Sequence, residues 1–277
     1  MPREATLFSV LSWNIEHFRG GDARLKKVAA HIQAQQPDVF GLLEIENADV
    51  LTLMQRELPE YDFALTDGPE VQEILVGWRR GKFAQTVFSQ KREFNVGNPA
   101  LRPGALLSVR LTDLWYNMLF LHTDSGTDAP AFGNRAEMFD KTWKLKGALD
   151  RKKDQPDAAQ LLVMGDLNTM GLVYPRPLKK FVRVDAPSEI AALGEAAEKA
   201  GMRLLPKDQP FTWNGSAGKS NLDHVLASQS LRLRNLGSAA EPAEIRVTGW
   251  PQLGGAALKS FLAEISDHAS LYAEVVG

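Results

Sequence analysis

The chain has 277 residues, of which 44% are hydrophobic and 24% charged, and this composition excludes the fibrous and intrinsically disordered classes. A formal net charge of −2 excludes a protein that coats nucleic acid through bulk positive charge. A nuclease with a few local basic contacts to its substrate remains compatible with this net charge. The sequence contains no cysteine, so disulfides, thiolate zinc sites and a cysteine nucleophile are all excluded.

The first sixty residues alternate between predicted strands and predicted helices. In chain order these are a strand at 7–13, a helix at 22–35, a strand at 39–43 and a helix at 47–58. Asp22 and Asn47 are the predicted N-caps, because a short polar side chain before an apolar-periodic run can accept a hydrogen bond from a free helical N–H. Pro59 ends the second helix. The alternation is typical of sheets with helices packed outside them.

The middle of the chain is rich in predicted strands, and the last third mixes strands with helices. The predicted elements are strands at 73–78, 83–89, 105–111 and 115–121, a helix at 134–149, a strand at 161–165, a helix at 188–200, and strands at 222–228 and 269–275. Gly201 is predicted to end the last of these helices in a left-handed conformation. No stretch reaches the ~18 apolar residues of a membrane span.

Several of these apolar runs adjoin a short burst of polar residues, as expected where a buried strand reaches a functional site. The polar residues concerned are Asn14 after the first run, Glu44 after the second, Asp166 and Asn168 after 161–165, and Asp267 and His268 ahead of 269–275. Carboxylate and amide oxygens are hard ligands for Mg²⁺ and Mn²⁺, and an imidazole beside them can move a proton. This set is the equipment of metal-assisted phosphate ester hydrolysis.

With His122 and Asp223 included, these residues stand in the order found in the endonuclease/exonuclease/phosphatase superfamily, which the chain resembles from Leu7 to Val275. The superfamily includes pancreatic deoxyribonuclease, the apurinic endonucleases, neutral sphingomyelinases and inositol polyphosphate 5-phosphatases. The resemblance implies an α/β (α+β) fold, a four-layer sandwich of two packed mixed β-sheets flanked by helices. Because the site residues are spread along nearly the whole sequence, we expect a single catalytic domain over residues 1–277.

The resemblance places the metal on two carboxylates. It implies Glu44 as the primary ligand of Mg²⁺ (or Mn²⁺) and Asp267 as a second ligand, bound directly or through water, since Mg²⁺ keeps several waters. Taken alone, Glu44 would also suit the start of the predicted helix at 47–58, where acids are favoured. Asn14 follows a buried strand and needs partners, so we expect it to hold Glu44 or a metal-bound phosphate and count it as substrate-binding.

Two histidines, each with a carboxylate behind it, are implied for the chemistry. His268 matches the imidazole that touches the scissile phosphate, and the family pairs it with Asp223, which would fix its tautomer and favour the cation. His122 matches the second histidine of the deoxyribonuclease-like branch, and Glu73 is its expected partner. The other histidines are interpreted as structural, with one minor candidate close to Asn14: His31 and His224 are structural, and His17 is the minor candidate.

The loop after the predicted strand at 161–165 supplies two further groups. The resemblance implies that Asp166 orients or deprotonates the attacking water and that Asn168 bonds a phosphate oxygen. The choice of general base between Asp166 and His268 stays open at this point. Arg102 lies where related enzymes present an arginine to substrate phosphate, and its planar guanidinium suits bidentate phosphate binding.

The sequence indicates the class of phosphate ester that is cleaved less strongly than it indicates the family. Residues 215–228 and 44–47 resemble the same regions of bacterial extracellular-type nucleases, which favours a metal-dependent nuclease that cleaves DNA or RNA by activated-water attack on phosphorus. Those enzymes follow the mid-chain histidine with lysines, whereas residues 122–128 here are acidic, and affinity for a polyanion grows with the number of phosphates neutralised. The alternative is a phosphodiesterase or phosphatase for a small or lipid phosphate ester, sphingomyelinase-like or inositol-phosphate-phosphatase-like.

A third hypothesis is that the protein is a catalytically inactive binding module with the same fold. It requires the loss of an essential group, and none of the named residues is missing. The expected partner is nucleic acid as substrate, and we expect a monomer with no membrane span and no obligate protein partner. The location stays open: cytoplasm if the chain is the full-length protein, or secretion if a signal segment was removed.

Overall fold

A computed structural model describes residues 4–68, 72–98, 100–152, 159–176, 180–216 and 218–277. The helices are α1 Asp22–Gln35, α2 Asp49–Glu57, α3 Ala129–Arg151, α4 Ala186–Lys199 and α5 Gly255–Glu264. The strands are β1 Thr6–Phe18, β2 Val39–Ile45, β3 Tyr61–Leu65, β4 Glu73–Arg79, β5 Gln85–Lys91, β6 Gly104–Leu111, β7 Leu114–His122, β8 Gln160–Asp166, β9 Leu172–Arg176, β10 Lys180–Val184, β11 Met202–Leu204, β12 Trp213–Gly215, β13 Gly218–Ser220, β14 Asp223–Ser228, β15 Arg246–Thr248 and β16 Ser270–Val276.

The first six-stranded sheet has the order β15-β16-β1-β2-β4-β3. Its central pair, β1 and β2, is parallel, whereas β16 and β4 run antiparallel to them. The register places Asn14 opposite Leu43, so the polar residues that follow both runs lie at one edge of the sheet. This edge carries Asn14 and Glu44.

The second six-stranded sheet has the order β11-β14-β8-β7-β6-β5. Its central strands β7 and β8 are parallel and end together, with His122 opposite Asp166. Strand β14 runs antiparallel to β8, so its first residue, Asp223, also lies opposite Asp166. Three predicted site residues therefore form one row at the edge of the second sheet.

The two sheets pack face to face through their apolar inner faces. Phe120 of β7 fills the space above Gly41 of β2, where a Cβ would lie 2.2 Å from the Phe120 ring. Helices α1, α2 and α5 pack on the first sheet, and α3 and α4 pack on the second. The predicted α/β sandwich of two mixed sheets flanked by helices is confirmed. Among the described residues, no helix combines the length and the apolar character that crossing a membrane requires.

The two predicted helix caps are wrong in detail. Helix α1 covers the predicted residues, but its N-cap is Gly21, and Asp22 lies inside the first turn, where a carboxylate interacts favourably with the helix dipole. Helix α2 begins later than predicted, after Ala48 as its N-cap. The Asn47 side chain instead accepts a 3.0 Å hydrogen bond from the Asp49 N–H, which forms a turn ahead of the helix.

Other differences come from short or weakly patterned elements. Helix α3 begins five residues before its predicted start, because Asp128 caps it through a 2.8 Å hydrogen bond from the Ala131 N–H and Pro130 occupies its first turn. The elements absent from the prediction are β3, β9, β10, β11, β12, β13, β15 and α5. Most of these are strands of three to five residues, too short to show an apolar alternation of their own.

Candidate active site

The polar ends of both sheets meet around the carboxamide of Asn14. Its Nδ2 donates hydrogen bonds of 2.9 Å to Glu44 Oε1 and 2.9 Å to Asp166 Oδ2, and its Oδ1 accepts one from the Glu16 N–H. The side chain is fully buried. Because both amide hydrogens are used on carboxylates, Asn14 holds Glu44 as predicted and joins it to Asp166. Its contact with a substrate stays a prediction.

Glu44 lies at the end of β2 in a left-handed conformation, with φ 65°. A non-glycine residue pays for this conformation in backbone energy, which is typical of functional sites. Its Oε2 accepts a 2.8 Å hydrogen bond from the His17 N–H, and its Oε1 lies 3.5 Å from His122 Nε2. Ligand atoms of Glu44, His122 and Asp166 all lie within 4.8 Å of one another, so the donor set suits a divalent cation.

Asp267 contributes a further oxygen that accepts no hydrogen bond from the described residues. Its Oδ2 accepts a 2.6 Å hydrogen bond from Trp213 Nε1, whereas its Oδ1 is buried and has no hydrogen-bond partner among the described residues. Glu16 Oε2 accepts a 3.3 Å hydrogen bond from the Asp267 N–H. Burial, followed by the neighbouring charge of Asp267, raises the pKa of the Glu16 carboxyl. Carboxylates crowded in this way fit a cation, which would satisfy the orphaned oxygen.

His268 is buried among carboxylates. Its Nδ1 lies 2.9 Å from Asp223 Oδ2, while its Nε2 lies 3.6 Å from Asp166 Oδ2 and 3.8 Å from Asp267 Oδ1. Burial by itself would lower the pKa of His268, but the charges of Asp223 and Asp166 outweigh it and raise the pKa to about 10. The imidazole is therefore a cation at neutral pH, and the expected pairing with Asp223 is present.

Asp166 faces this cation from the end of β8. Burial raises the pKa of the Asp166 carboxyl to about 7; the positive charge of His268 opposes the rise, and the charge of Asp223 adds to it. A carboxyl with a pKa near neutrality can exchange a proton at physiological pH.

The predicted pairing of His122 with Glu73 is wrong. Glu73 Oε1 accepts a 2.8 Å hydrogen bond from the Gly68 N–H, and its Oε2 accepts one from the Thr66 hydroxyl. His122 Nδ1 is buried and has no hydrogen-bond partner in the part of the chain that the structure describes. Both oxygens of Glu73 bond to residues of the segment that leads into β4, and none of their hydrogen bonds comes from His122.

His122 itself lies inside the site. Burial lowers its pKa well below the ordinary value, and the positive charges of Arg102 and His268 lower it further. The imidazole is therefore neutral, and its Nε2 is directed at the carboxylates of Glu44 and Asp166, at 3.5 and 3.9 Å. One site thus holds a neutral and a charged histidine.

Asn168 and Arg102 complete the predicted set. Asn168 is buried in a left-handed conformation, with φ 46°; its N–H donates to Asp166 Oδ1 over 3.1 Å and its Nδ2 donates to the Thr123 carbonyl over 3.0 Å. Arg102 donates from Nη2 to Gln72 Oε1 over 2.5 Å, and its buried Nε has no partner among the described residues. Contacts of Asn168 and Arg102 with phosphate stay predictions.

The three remaining histidines occupy different environments. His31 Nε2 lies 2.8 Å from Ser270 Oγ, and His224 Nε2 lies 2.8 Å from Thr169 Oγ1, so both have partners outside the cluster of carboxylates. The His17 ring is largely exposed at the rim and its Nδ1 lies 2.5 Å from Glu46 Oε1.

The sequence alone gave no role in the site to Glu16 or Trp213. Glu16 lies two residues after Asn14 in the same polar burst, and this position is a signal that could have found it. Trp213 belongs to a three-residue strand and contacts Asp267, 54 residues away, so no local pattern reveals it.

A buried ion pair holds the two loops that follow β7 and β8. Arg135 of α3 is fully buried and donates to both oxygens of Glu189, over 2.7 and 3.1 Å. It also donates to the carbonyls of Gly126 and Gly171, over 2.8 and 2.9 Å. Gly126 follows His122 in one loop and Gly171 follows Asn168 in the other, so one side chain fixes both loops.

The two mixed sheets bring carboxylates, a charged imidazole and a neutral imidazole together at one edge. This arrangement is typical of hydrolases that act on phosphoric esters. The chain belongs to the endonuclease/exonuclease/phosphatase family, whose model matches residues 11–268. The resemblance drawn from the sequence is confirmed, and so is the prediction of a phosphoric ester hydrolase at the level of the family. No curated protein sequence gives a significant match.

Several solved structures have a similar fold. Truncated TDP2 from Caenorhabditis elegans is 18% identical, with a TM-score of 0.63 over 98% of this chain and 97% of that chain. A mannosyl-6-phosphatase from Bacteroides thetaiotaomicron is 17% identical, with a TM-score of 0.61 over 98% and 100%. The 3′ phosphatase NExo from Neisseria, bound to a product DNA hairpin, is 13% identical, with a TM-score of 0.63 over 98% and 100%. At these identities the likeness establishes the fold alone.

Proposed function

We propose that the protein is a Mg²⁺- or Mn²⁺-dependent phosphodiester hydrolase that cleaves DNA or RNA. The observation that carries the proposal is the opposition of Asp166 and His268, whose Oδ2 and Nε2 lie 3.6 Å apart beside the orphaned Oδ1 of Asp267. A proton acceptor and a proton donor therefore face one another next to a set of metal-type oxygens. The nucleic acid substrate is supported by the similar fold of the Neisseria 3′ phosphatase with bound DNA.

The residues that would hold the cation are Glu44 and Asp267, and Glu16 lies beside them as a third carboxylate. A bound divalent cation would offset the negative charge that builds on the phosphate during hydrolysis. Asn14 fixes the position of Glu44, so the cation site and the base remain in one arrangement.

The pKa directions favour one assignment of the proton transfers. The charges of Asp223 and Asp166 raise the pKa of His268 to about 10 and favour its cationic form, so we assign it as the proton donor. Burial raises the pKa of Asp166 to about 7, and we assign it as the base. In the proposed reaction Asp166 takes a proton from water, the water oxygen bonds to phosphorus, and the ester P–O bond breaks. His268 gives its Nε2 proton to the departing oxygen. Arg102 and Asn168 would contact the non-bridging oxygens.

The alternative substrate is a small or lipid phosphate ester, and the fold similarity to the mannosyl-6-phosphatase favours it. The acidic segment after His122 gives this alternative less support than the sequence alone did. Asp124 accepts a 2.7 Å hydrogen bond from Asn134 Nδ2, and Asp128 caps α3 through the Ala131 N–H. Both acids thus serve local structure. We further propose that residues 1–277 form one catalytic domain that acts as a monomer.

The proposal is tested by incubating the protein with plasmid DNA, RNA, sphingomyelin, an inositol phosphate and p-nitrophenyl phosphate, each with Mg²⁺, Mn²⁺ or EDTA. We expect cleavage of DNA or RNA with metal and none in EDTA. Asp166→Asn should lower the rate by ~10² or more, while Asp140→Asn, an exposed acid of α3, should keep the wild-type rate. If DNA and RNA stay intact while a lipid, inositol or monoester substrate is cleaved, the nuclease proposal is wrong and the alternative substrate is correct.

A further inference from the structure

A groove on the outer face of the second sheet takes no part in the site described above. It lies between α3 and the strands β5, β6 and β7, and its volume is about 800 Å³. Its lining combines apolar with uncharged polar side chains, including Val87, Ser89, Leu106, Ser108, Trp115 and Asn117. Val87 is 49% exposed and Trp115 is partly exposed, so apolar and aromatic surface is open to a ligand.

The groove is basic on a chain whose net charge is negative. Among the residues that the structure describes, four lysines line it against a single glutamate, Glu93. Lys91 pairs with Glu93 over 2.7 Å and Lys141 pairs with Glu137 over 2.6 Å. The other two lining lysines, Lys144 and Lys152, are exposed, and their side chains form no ion pair or hydrogen bond with any residue that the structure describes.

The lysines are distributed along the groove and do not surround one point. Lys141 and Lys144 of α3 and Lys152, its C-cap residue, share one face, because offsets of three and eleven residues return to nearly the same side of a helix. They span roughly 16 Å along the helix at 1.5 Å per residue. A fatty acid, or another ligand with one anionic group, would pair with a lysine at one end of this row and leave the other lysines unpaired. A ligand with repeating negative charges matches the whole row.

We propose that this groove binds single-stranded nucleic acid, the part of the polynucleotide substrate outside the bond that is cleaved; the inference rests on the function proposed above. Lysines that follow a phosphate backbone and an aromatic ring on which a base stacks are the two elements of sequence-independent strand binding. Trp115 supplies the ring, and the lysine row of α3 supplies the charges.

The groove begins at the edge of the sheet that carries the active site. Lys91, at one end of the lining, lies opposite Gly104 in the β5–β6 register, two residues after Arg102. Trp115 lies near the other end of the same sheet, opposite Arg110 of β6. A strand that leaves the site past Arg102 can therefore continue along α3.

The experiment measures binding and cleavage separately. Fluorescence anisotropy of a labelled oligo-dT of about 20 nucleotides gives the affinity at several salt concentrations, with Glu44→Gln introduced in every variant and EDTA present to prevent cleavage. The groove variant is Lys144→Gln/Lys152→Gln. Its matched control is Lys26→Gln/Lys259→Gln, which removes two exposed lysines from α1 and α5, the helices of the first sheet. Cleavage of the same oligonucleotide and of a dinucleotide is measured with Glu44 intact.

We expect the groove variant to bind the oligonucleotide about tenfold more weakly and to lower the slope of log K against log salt by about 1.4, or 0.7 for each lost phosphate contact. Its kcat/KM should fall on the oligonucleotide and stay unchanged on the dinucleotide. Trp115→Ser should weaken oligonucleotide binding without changing the salt slope. The control should behave as the parent protein in every assay.

The proposal is overturned if the groove variant binds the oligonucleotide as the control does, if the parent protein does not bind it, or if dinucleotide cleavage falls equally. Failure of the proposed function looks different. In that case the parent protein cleaves no nucleic acid, yet oligonucleotide binding still depends on Lys144 and Lys152. Strand binding by the groove then stands, and its role in holding a substrate of this protein falls.

Discussion

Asn14 of the first sheet donates a 2.9 Å hydrogen bond to Asp166 of the second sheet. Because the same amide also holds Glu44, the proposed metal ligand and the proposed base keep a fixed relation across the two sheets. Neither sheet contains the site by itself, so its geometry depends on how the sheets pack.

Replacement of Asn14 should therefore impair catalysis strongly. Asn14→Ala is expected to lower kcat by ~10², because Glu44 and Asp166 lose the donor between them. Asn14→Asp should also lower the free energy of unfolding, since it adds a buried carboxylate against two others. Steady-state kinetics and urea unfolding measure these effects. The control is Asn235→Ala, an asparagine in a remote turn; an Asn14→Ala protein with wild-type kcat would contradict the bridging role.

The charged histidine is the second target. His268→Ala should lower kcat by ~10² or more on the best substrate, and Asp223→Asn should lower it by less, because it weakens the cation without removing the imidazole. His224→Gln is the matched control, since His224 is buried next to Asp223 in sequence but contacts Thr169. Wild-type turnover in His268→Ala, with folding checked by circular dichroism, refutes the assignment.

Metal binding should depend on the crowded carboxylates. EDTA is expected to abolish activity, and Mg²⁺ or Mn²⁺ to restore it. Glu44→Gln should weaken Mn²⁺ binding measured by isothermal titration calorimetry, whereas Glu46→Gln should not, because Glu46 pairs with His17 and Arg19 at the rim. Full activity after exhaustive chelation, or Mn²⁺ density far from Glu44 in a soaked crystal, would contradict the assignment of Glu44 as a metal ligand.

The ion pair between Arg135 and Glu189 should matter for stability. Arg135→Met leaves a buried carboxylate without its partner and is expected to lower the free energy of unfolding by about 3–5 kcal/mol in urea denaturation. The double variant Arg135→Met/Glu189→Leu should recover part of this loss. Arg80→Ala breaks an exposed pair with Asp62 and should cost less than about 1 kcal/mol. Equal losses for Arg135→Met and Arg80→Ala would contradict the burial argument.

Lys207 should make stability depend on pH. Its Nζ donates to the Asp223 carbonyl over 2.5 Å and to Asn221 Oδ1, and burial lowers its pKa from 10.5 to about 7, against the opposing charge of Asp223. Between pH 7 and 10.5 the unfolded chain binds more protons at this lysine than the folded chain does. The free energy of unfolding should therefore gain from Lys207 as pH rises through this window, and the contribution should be constant below it.

The measurement compares urea unfolding of the wild type and Lys207→Met at several pH values between about 6.5 and 9.5, which cover most of this window. The stability of the wild type relative to the variant should increase with pH. Lys259→Met, at an exposed lysine, should show no such trend. A difference between wild type and Lys207→Met that is flat with pH means that Lys207 keeps its ordinary pKa in the folded state.

The sequence by itself determined the features that depend on neighbouring residues. Helix α1 covers the residues predicted for it, because its apolar spacing is a local pattern. The strands that carry Glu44 and Asp166 near their ends can be predicted, because apolar runs stop at polar residues. The order of these residues along the chain was enough to indicate the family, which the family model confirms over residues 11–268.

Only the tertiary structure decided which side chains face one another and which protons they hold. Glu73 bonds to Thr66 and Gly68, and His122 is left without a partner at Nδ1 among the described residues. His268 becomes a cation through Asp223, 45 residues away along the chain. Burial and the electric field at a group depend on atoms brought near by packing, and sequence neighbours do not determine them.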